Sequence, residues 1–296
     1  MAESLQDIKR RIKSVTSTEH VTNAMKLVST AKLRVAKGKY EAMNQNLLYV
    51  AKHISALFNV ADNIPNEFLI ENTDAEKTCY VVVTSSKGFC GGYNINVLKK
   101  VDELIAESDK EAAIVAIGSK GADYFKRNGR AEVICEYLDP PEEMDFNECV
   151  NLLAPALNRY QNGEFDKVVL VYTAFENVLS QVVRAHTMLP FSVEYTQMFA
   201  NNDHDFIKQH SVDIEFLPNT TEFFAYLVIK YIQIDLCANV IEAATCEHTA
   251  RRMAMENATD NANEMLDALS MSFNRARQAA ITSEITEIVA GTEALT

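Results

Sequence analysis

The sequence predicts an α/β fold with two parts. Long N- and C-terminal helices form an antiparallel coiled coil, and an α/β domain lies between them in the sequence. Two observations predict it. Residues 1–64 contain no proline and one glycine, and residues 219–290 contain neither, so both stretches favour uninterrupted helices. Between them, short apolar segments rich in β-branched residues alternate with helical segments, which is typical of a mainly parallel sheet. We therefore predict three parts: a coiled-coil helix (1–64), an α/β domain (65–218) and a second coiled-coil helix (219–296).

The first helix carries narrow apolar stripes whose members recur every three or four residues. A polar interruption around 17–20 divides them into Leu5, Ile8, Ile12 and Val15, then Val21, Ala24, Val28, Ala31 and Val35. Such narrow stripes are typical of coiled-coil seams. A helix over this span would be roughly 95 Å long, well beyond the width of a compact domain, so we expect it to project.

The central domain is predicted to be Rossmann-like, with strands and helices in alternation. After the first strand comes a glycine-rich turn, and one predicted helix contains Pro155. The predicted strands are 79–85, 112–119, 131–138, 167–175 and 180–190, and the predicted helices are 95–108, 121–129 and 145–163. Residues 191–217 show no clear period and are predicted to be a loop-rich return.

The last helix has the same narrow apolar spacing as the first. Its predicted seam contains Ala258, Ala262, Met265, Leu269, Phe273, Ala276 and Ala280. Alanine at a seam lets two helix backbones approach closely, and the simplest partner is the first helix, packed antiparallel. A bundle folded back on itself is the alternative, but it needs a breaker near the middle of each span, and only Gly38 qualifies.

Composition excludes several classes of function. The net charge of −13 argues against a nucleic-acid-binding protein, although residues 1–40 hold nine basic and three acidic residues. The six cysteines show no CxxC spacing and no histidine cluster, so neither a metal site nor a disulfide framework is predicted. The apolar stretch 223–241 is interrupted by polar residues and is not predicted to span a membrane.

The candidate catalytic and cofactor motifs also favour structural roles. SSKGFCGGYN (85–94) follows a strand and precedes a helix, as phosphate-binding loops do, but its glycines fit neither known phosphate-loop spacing. It is predicted to be a turn in which Gly91 and Gly92 allow positive φ or close packing. Cys90 is predicted to be a buried thiol, and the acids around Pro140 and Pro141 an exposed turn. We thus predict no catalytic residue and no cofactor.

Three separated segments carry a resemblance to a known family. They are SLQDIKRRIKSVTSTEHVTNAMKLVSTAKL (4–33), VVVTSSKGFCGGYNINVLK (81–99) and ATDNANEMLDALSMSFNRARQAAITSEITEIVAG (258–291). The chain resembles the gamma subunits of F-type ATP synthases nearly from end to end. The resemblance implies a non-catalytic rotor shaft inside a ring of alpha and beta subunits. It also implies contacts with the epsilon subunit and the membrane ring of c subunits, and a peripheral location on the cytoplasmic face of a bacterial inner membrane.

The resemblance also implies which residues contact partners. Met25 and Lys26 match the segment that meets the acidic lever of the beta subunits. Glu247 and Arg251 match a polar pair tied to coupling, although spacing alone also allows a plain i,i+4 pair. The implied contacts with the ring near the C-terminus are Arg277, Gln278, Thr282 and Glu284. A free-standing α/β enzyme that binds a nucleotide at the glycine turn is the rival hypothesis.

Overall fold

A computed structural model of the chain describes residues 4–60, 67–177, 180–192 and 219–293. Along the chain, one long helix comes first and another comes last, and strands alternate with shorter helices between them. The elements are α1 (Leu5–Val60), β1 (Lys77–Val83), α2 (Tyr93–Glu107), β2 (Glu111–Ile117), α3 (Ser119–Asn128), β3 (Glu132–Tyr137), α4 (Phe146–Gln161), β4 (Phe165–Phe175), β5 (Gln181–Leu189) and α5 (Thr220–Glu293). Short 3₁₀ turns lie at Glu67–Leu69 and Pro141–Glu143.

The five strands form one sheet in the order β3-β2-β1-β4-β5. Strands β1, β2, β3 and β4 are parallel to one another, and the edge strand β5 is antiparallel to β4. The central strands β1 and β2 are buried from their second residue onward because helices cover both faces of the sheet. The predicted Rossmann-like domain is confirmed, and Pro155 does lie within a helix.

Two apolar layers hold the helices against the sheet. On one face, Val97 of α2 and Phe125 of α3 pack on Tyr80 and Val82 of β1. The other face of β1 shares a larger core with α4, with the α1 segment that contains Ile54, and with the first turns of α5. The side chains alternate between these two layers along β1, as the two-residue period of a strand requires.

The chain divides into two compact units. One contains Met1–Thr30 and Arg251–Thr296, and we call it the helix-pair unit. The other, Ala31–Ala250, contains the sheet, its covering helices and the remaining parts of α1 and α5, and we call it the α/β unit. The predicted boundaries at 64/65 and 218/219 lie outside the described residues, as does nearly all of the predicted return over 191–217, so these stay predictions.

The α1 seam in the helix-pair unit differs from the sequence prediction in its second half. The predicted first stripe is correct, because Ile8 is buried and its partners are partly buried. The predicted continuation is wrong: Val21 and Val28 are 56% and 57% exposed, and Ala24 is exposed as well. The buried positions instead continue at heptad spacing through the polar residues Thr22 and Ser29. The prediction lost the register because it followed apolar residues rather than the seven-residue repeat.

The α5 seam in the same unit is largely as predicted. Ala262 and Leu269 are buried, and Phe273, Ala276 and Ala280 are partly buried. At two positions the seam residue is the one after the predicted residue. Thr259 is more deeply buried than Ala258, and Leu266 is partly buried whereas Met265 is exposed. From residue 281 to residue 290 every side chain is exposed.

The helix pair of this unit is antiparallel. Thr259 Oγ1 donates a hydrogen bond to Thr22 Oγ1 at 2.8 Å, which fixes the register of the two segments. In this register Ala280 lies beside the start of α1, and that explains why burial along α5 stops there. The predicted antiparallel coiled coil is therefore confirmed.

The hydroxyl pair gives a test of this register. Each hydroxyl also contacts a backbone carbonyl of its own helix, that of Glu19 for Thr22 and that of Met255 for Thr259. A double-mutant cycle with Thr22→Val and Thr259→Val is expected to give a coupling free energy of about 0.5–1.5 kcal/mol in urea unfolding. The control pairs Thr259→Val with Thr18→Val, an exposed position on α1, and should be additive. Equal coupling in both cycles would contradict the register.

Helix α5 contains an apolar window long enough to cross a bilayer by length and composition. Within the described part of the chain, 67% of that window is buried inside the protein. Packing against the sheet thus accounts for its hydropathy, as it does for core helices generally.

Candidate functional site

The glycine turn between β1 and α2 closes on itself. Gly91 has a φ of +58°, as predicted, whereas Gly92 has an ordinary negative φ. Asn94 accepts a hydrogen bond from the backbone N–H of Ser85 at 2.9 Å, and its amide donates to Cys90 Sγ at 3.3 Å. Cys90 is buried against Tyr93 and Cys246, so the predicted buried thiol is confirmed. The polar groups of Ser85, Cys90 and Asn94 therefore bond to one another rather than facing an open cleft.

The neighbouring turn after β2 fills the edge of the sheet where α/β proteins bind nucleotides. Gly118 has a φ of +90°, and a Cβ on it would lie 2.1 Å from the carbonyl oxygen of Thr84. At the start of α3, the N–H of Gly121 donates to Thr84 Oγ1 at 2.8 Å. A helix N-terminus that could hold a phosphate thus binds a protein hydroxyl. Among the described residues, no group of three or more His, Cys, Asp or Glu side chains is placed to hold a metal ion.

Met25 and Lys26 lie half-buried on α1 in the helix-pair unit. The side chains next to them along the helix include Leu27, which is 63% exposed, and the exposed Val21 and Val28. Val21, Met25 and Val28 are spaced by four and three residues, so they share one face of the helix, and that face is partly aliphatic and exposed. The sequence showed these valines as a stripe, but the prediction assigned them to the seam and so missed an outward-facing surface.

Arg277, Gln278, Thr282 and Glu284 are all exposed on α5. Thr282 donates its hydroxyl to the backbone carbonyl of Gln278 at 2.9 Å, and the side chains of Arg277 and Gln278 are exposed to solvent. Isoleucines are exposed among them, at 281, 285 and 288. This end of α5 therefore exposes polar and apolar side chains side by side. It lies roughly 30 Å along the helix pair from Met25, so the two predicted contact regions are separate.

Glu247 and Arg251 are buried, unlike the other predicted contact residues. Glu247 belongs to the α/β unit and Arg251 to the helix-pair unit. The burial of both argues for a structural environment around each. The suggested pairing between them stays a prediction.

A buried carboxylate that the sequence did not single out lies near the end of β4. Glu242 of α5 accepts a hydrogen bond from the backbone N–H of Phe175 at 2.8 Å. Burial raises the pKa of this carboxyl above its ordinary value, the hydrogen bond and Arg184 lower it, and nearby Asp235 adds to the increase. The net direction is upward, so the ionised form is disfavoured in the folded protein.

A pH-dependent stability difference follows from Glu242. A raised folded-state pKa adds stability below the unfolded-state value of about 4.3 and loses it as the pH rises through the folded value. Glu242→Gln keeps an acceptor for Phe175 but does not ionise. We expect the free energy of unfolding of this variant to exceed that of the wild type increasingly as the pH rises from 4 to 7. Equal pH profiles for Glu242→Gln and the exposed control Glu107→Gln would contradict this.

The acidic turn after β3 is exposed at Asp139 and Glu143, as predicted. Glu142 departs from the prediction, because its side chain is only 15% exposed and contacts Lys32 and His248. No local pattern predicts these contacts, since both partners lie more than 100 residues away along the chain.

The chain is similar to a known family over nearly its full length. A family model described as ATP synthase matches residues 4–295. The ATP synthase gamma chain, sodium ion specific, of Acetobacterium woodii is 38% identical, and the alignment covers all of both chains. The ATP synthase gamma chain of Moorella thermoacetica is 35% identical over 98% of this chain and 99% of that one.

Solved structures show the same fold. A chain in the mitochondrial ATP synthase of Euglena gracilis, solved with OSCP, F1 and the c-ring, superposes with a TM-score of 0.69. The superposition covers 98% of this chain and 94% of that chain at 19% identity. A chain from the central stalk and c-ring of the Tetrahymena thermophila enzyme superposes with a TM-score of 0.56 over 80% of this chain.

Proposed function

This chain belongs to the family of ATP synthase gamma chains, and we propose that it is the central rotor shaft of an F-type ATP synthase. In this role it couples ion flow across the membrane to conformational change at the catalytic sites of the alpha/beta ring. The observation that carries the proposal is the helix-pair unit, whose buried seam leaves exposed aliphatic and polar side chains on the outside of both helices.

Coupling of this kind needs a surface that differs around the shaft. Each catalytic subunit then meets a different set of side chains, and differential contact shifts its population of conformers. Val21 and Val28, which are exposed on the same face of α1 as Met25, supply one such surface, with Lys26 next to it along the helix. The end of α5 around Arg277, Gln278, Thr282 and Glu284 supplies a second, which we assign to contacts with the top of the ring.

We assign the remaining partners to the α/β unit, as the family resemblance implies. These are the epsilon subunit and the membrane ring of c subunits, through which the chain is peripherally associated with the cytoplasmic face of a bacterial inner membrane. We keep the three predicted segments in this proposal: 1–64 and 219–296 contact the alpha/beta ring, and 65–218 contacts the partners on the membrane side. No nucleic acid partner is proposed, given the net charge of −13.

We propose that the chain itself is not catalytic. The support is the pair of turns after β1 and β2, whose donors are engaged by Asn94 and Thr84. Titration of the purified chain with labelled ATP tests this. Stoichiometric binding that is abolished by a substitution in residues 85–94 would instead favour the rival nucleotide-binding enzyme.

Rotation in the assembled complex tests the main proposal. The chain is purified with the alpha and beta subunits, the ring is fixed to a surface, and a bead is attached to the α/β unit. ATP is expected to drive stepwise rotation of the bead in one direction. Failure of the chain to assemble with the ring, or hydrolysis with a stationary bead, would overturn the rotor function.

A further inference from the structure

The side chain of Glu142 connects three separate segments within the α/β unit. Its Oε1 atom accepts a hydrogen bond from Lys32 Nζ of α1 at 2.7 Å and lies 3.3 Å from His248 Nε2 of α5. The backbone carbonyl of Glu142 accepts a hydrogen bond at 3.0 Å from Nζ of Lys39, which lies about two turns after Lys32 on α1. One residue of a three-residue turn thus contacts both long helices.

The contacts of the Glu142 carboxylate with His248 and Lys32 are largely shielded from water. The side chain of His248 is 2% exposed, and that of Glu142 is mostly shielded. Burial by itself raises the pKa of Glu142, but the contacts with His248 and Lys32 outweigh it and hold the pKa well below its ordinary range. The carboxylate is therefore charged at neutral pH. Hydrogen bonds to a charged group that is shielded from water are stronger than neutral ones.

The position of the turn in the sheet gives this contact its significance. The chain enters the sheet from α1 at the central strand β1, and it leaves towards α5 from β5 at one edge. Strand β3 forms the opposite edge. The turn at Pro141–Glu143 follows β3, and Pro141 and Met144 anchor it by their burial. The edge furthest from the β5 exit thereby gains its own contact with both helices.

We propose that Glu142 is a positioning residue that fixes the β3 edge of the sheet to α1 and α5, so that the α/β unit follows the rotation of the long helices without lag. The inference rests on the proposed rotor function. The apolar core that the sheet shares with the helices is not directional, so by itself it would let the β3 edge twist slightly about them under load. A charged contact at the far edge opposes that twist, because it must break before the edge can move.

The test compares Glu142→Gln with Glu143→Gln. Both substitutions remove one carboxylate from the same turn, but Glu143 is exposed. In the full-length chain, hydrogen exchange is followed at the N–H groups of Glu143 and Met144, which close the turn on Pro140 and Pro141. Exchange is expected to accelerate about tenfold or more in Glu142→Gln and to stay unchanged in the control. Equal exchange in Glu142→Gln and wild type would overturn the inference.

The second measurement is mechanical and separates positioning from simple stabilisation. With the ring fixed and the complex paused between steps, the angular fluctuation of a bead on the α/β unit is recorded. We expect a larger variance in Glu142→Gln than in wild type or Glu143→Gln. Accelerated exchange with an unchanged variance would show that Glu142 only stabilises its turn, and would also overturn the inference.

A second variant covers the case in which Glu142→Gln fails to assemble, and the wild-type rotation separates failure of the inference from failure of the rotor function. If Glu142→Gln does not assemble, Lys32→Gln removes the same contact from the α1 side at a half-exposed position and should show the same two changes. If wild-type complexes do not rotate at all, the rotor function fails. The exchange experiment on the full-length chain still decides whether Glu142 holds the turn.

Discussion

Met25→Lys is expected to impair coupling between ATP hydrolysis and ion pumping. Met25 is half-buried on a face of α1 that also exposes Val21 and Val28, and Lys26 follows it along the helix. The family resemblance places this face against the acidic lever of the beta subunits. A second cation here would add an ion pair that has to break at every step. If that pair adds about 1–2 kcal/mol to the barrier for rotation, turning slows roughly 5- to 30-fold. Hydrolysis that is completed without a turn of the shaft then lowers the number of ions pumped per ATP.

The measurement is ion pumping per ATP hydrolysed in membrane vesicles that contain the whole complex. Met25→Leu is the matched control, because it conserves volume and adds no charge. We expect pumping per ATP to fall in Met25→Lys and to remain at the wild-type level in Met25→Leu. Unchanged pumping per ATP in Met25→Lys would contradict the assignment of this face.

Replacing both Arg277 and Gln278 with alanine is expected to reduce ATP turnover while leaving folding intact. Both side chains are exposed on α5, so their loss should change the free energy of unfolding by less than about 0.5 kcal/mol. In the complex they would lose contacts with the ring. Exposed charge contacts are individually worth about 0–1 kcal/mol, so losing both contacts would lower turnover by up to roughly 30-fold.

A matched control lies one turn earlier on the same helix. Asn274 and Arg275 are exposed and also combine an amide with a guanidinium. Asn274→Ala with Arg275→Ala should leave turnover near the wild-type level. Turnover that is unchanged by the Arg277 and Gln278 substitutions, together with a lowered melting temperature, would show that these two residues are structural.

The sequence predicted most of the candidate contact surface but not the direction in which it faces. Arg277 and Gln278 lie between the seam residues Ala276 and Ala280 but off the seam, and Thr282 lies past its end, so their exposure follows from the helix register. Val21 and Val28 were visible as an apolar stripe, yet nothing local distinguishes an apolar stripe that packs inward from one that a partner covers. Thr22 and Ser29 take the inward positions instead, because small hydroxyl side chains fit between close helices and bond to backbone carbonyls.

By itself, the sequence determined the identity and order of the secondary-structure elements. The scarcity of proline and glycine predicted the two long helices, and residue periods separated strands from helices, because both are properties of neighbouring residues. Only the tertiary structure decided which face of α1 is buried and what Glu142 contacts. Lys32, Glu142 and His248 come together across more than 100 residues of chain. Such a contact depends on how the sheet is assembled against the helices, and no local pattern encodes it.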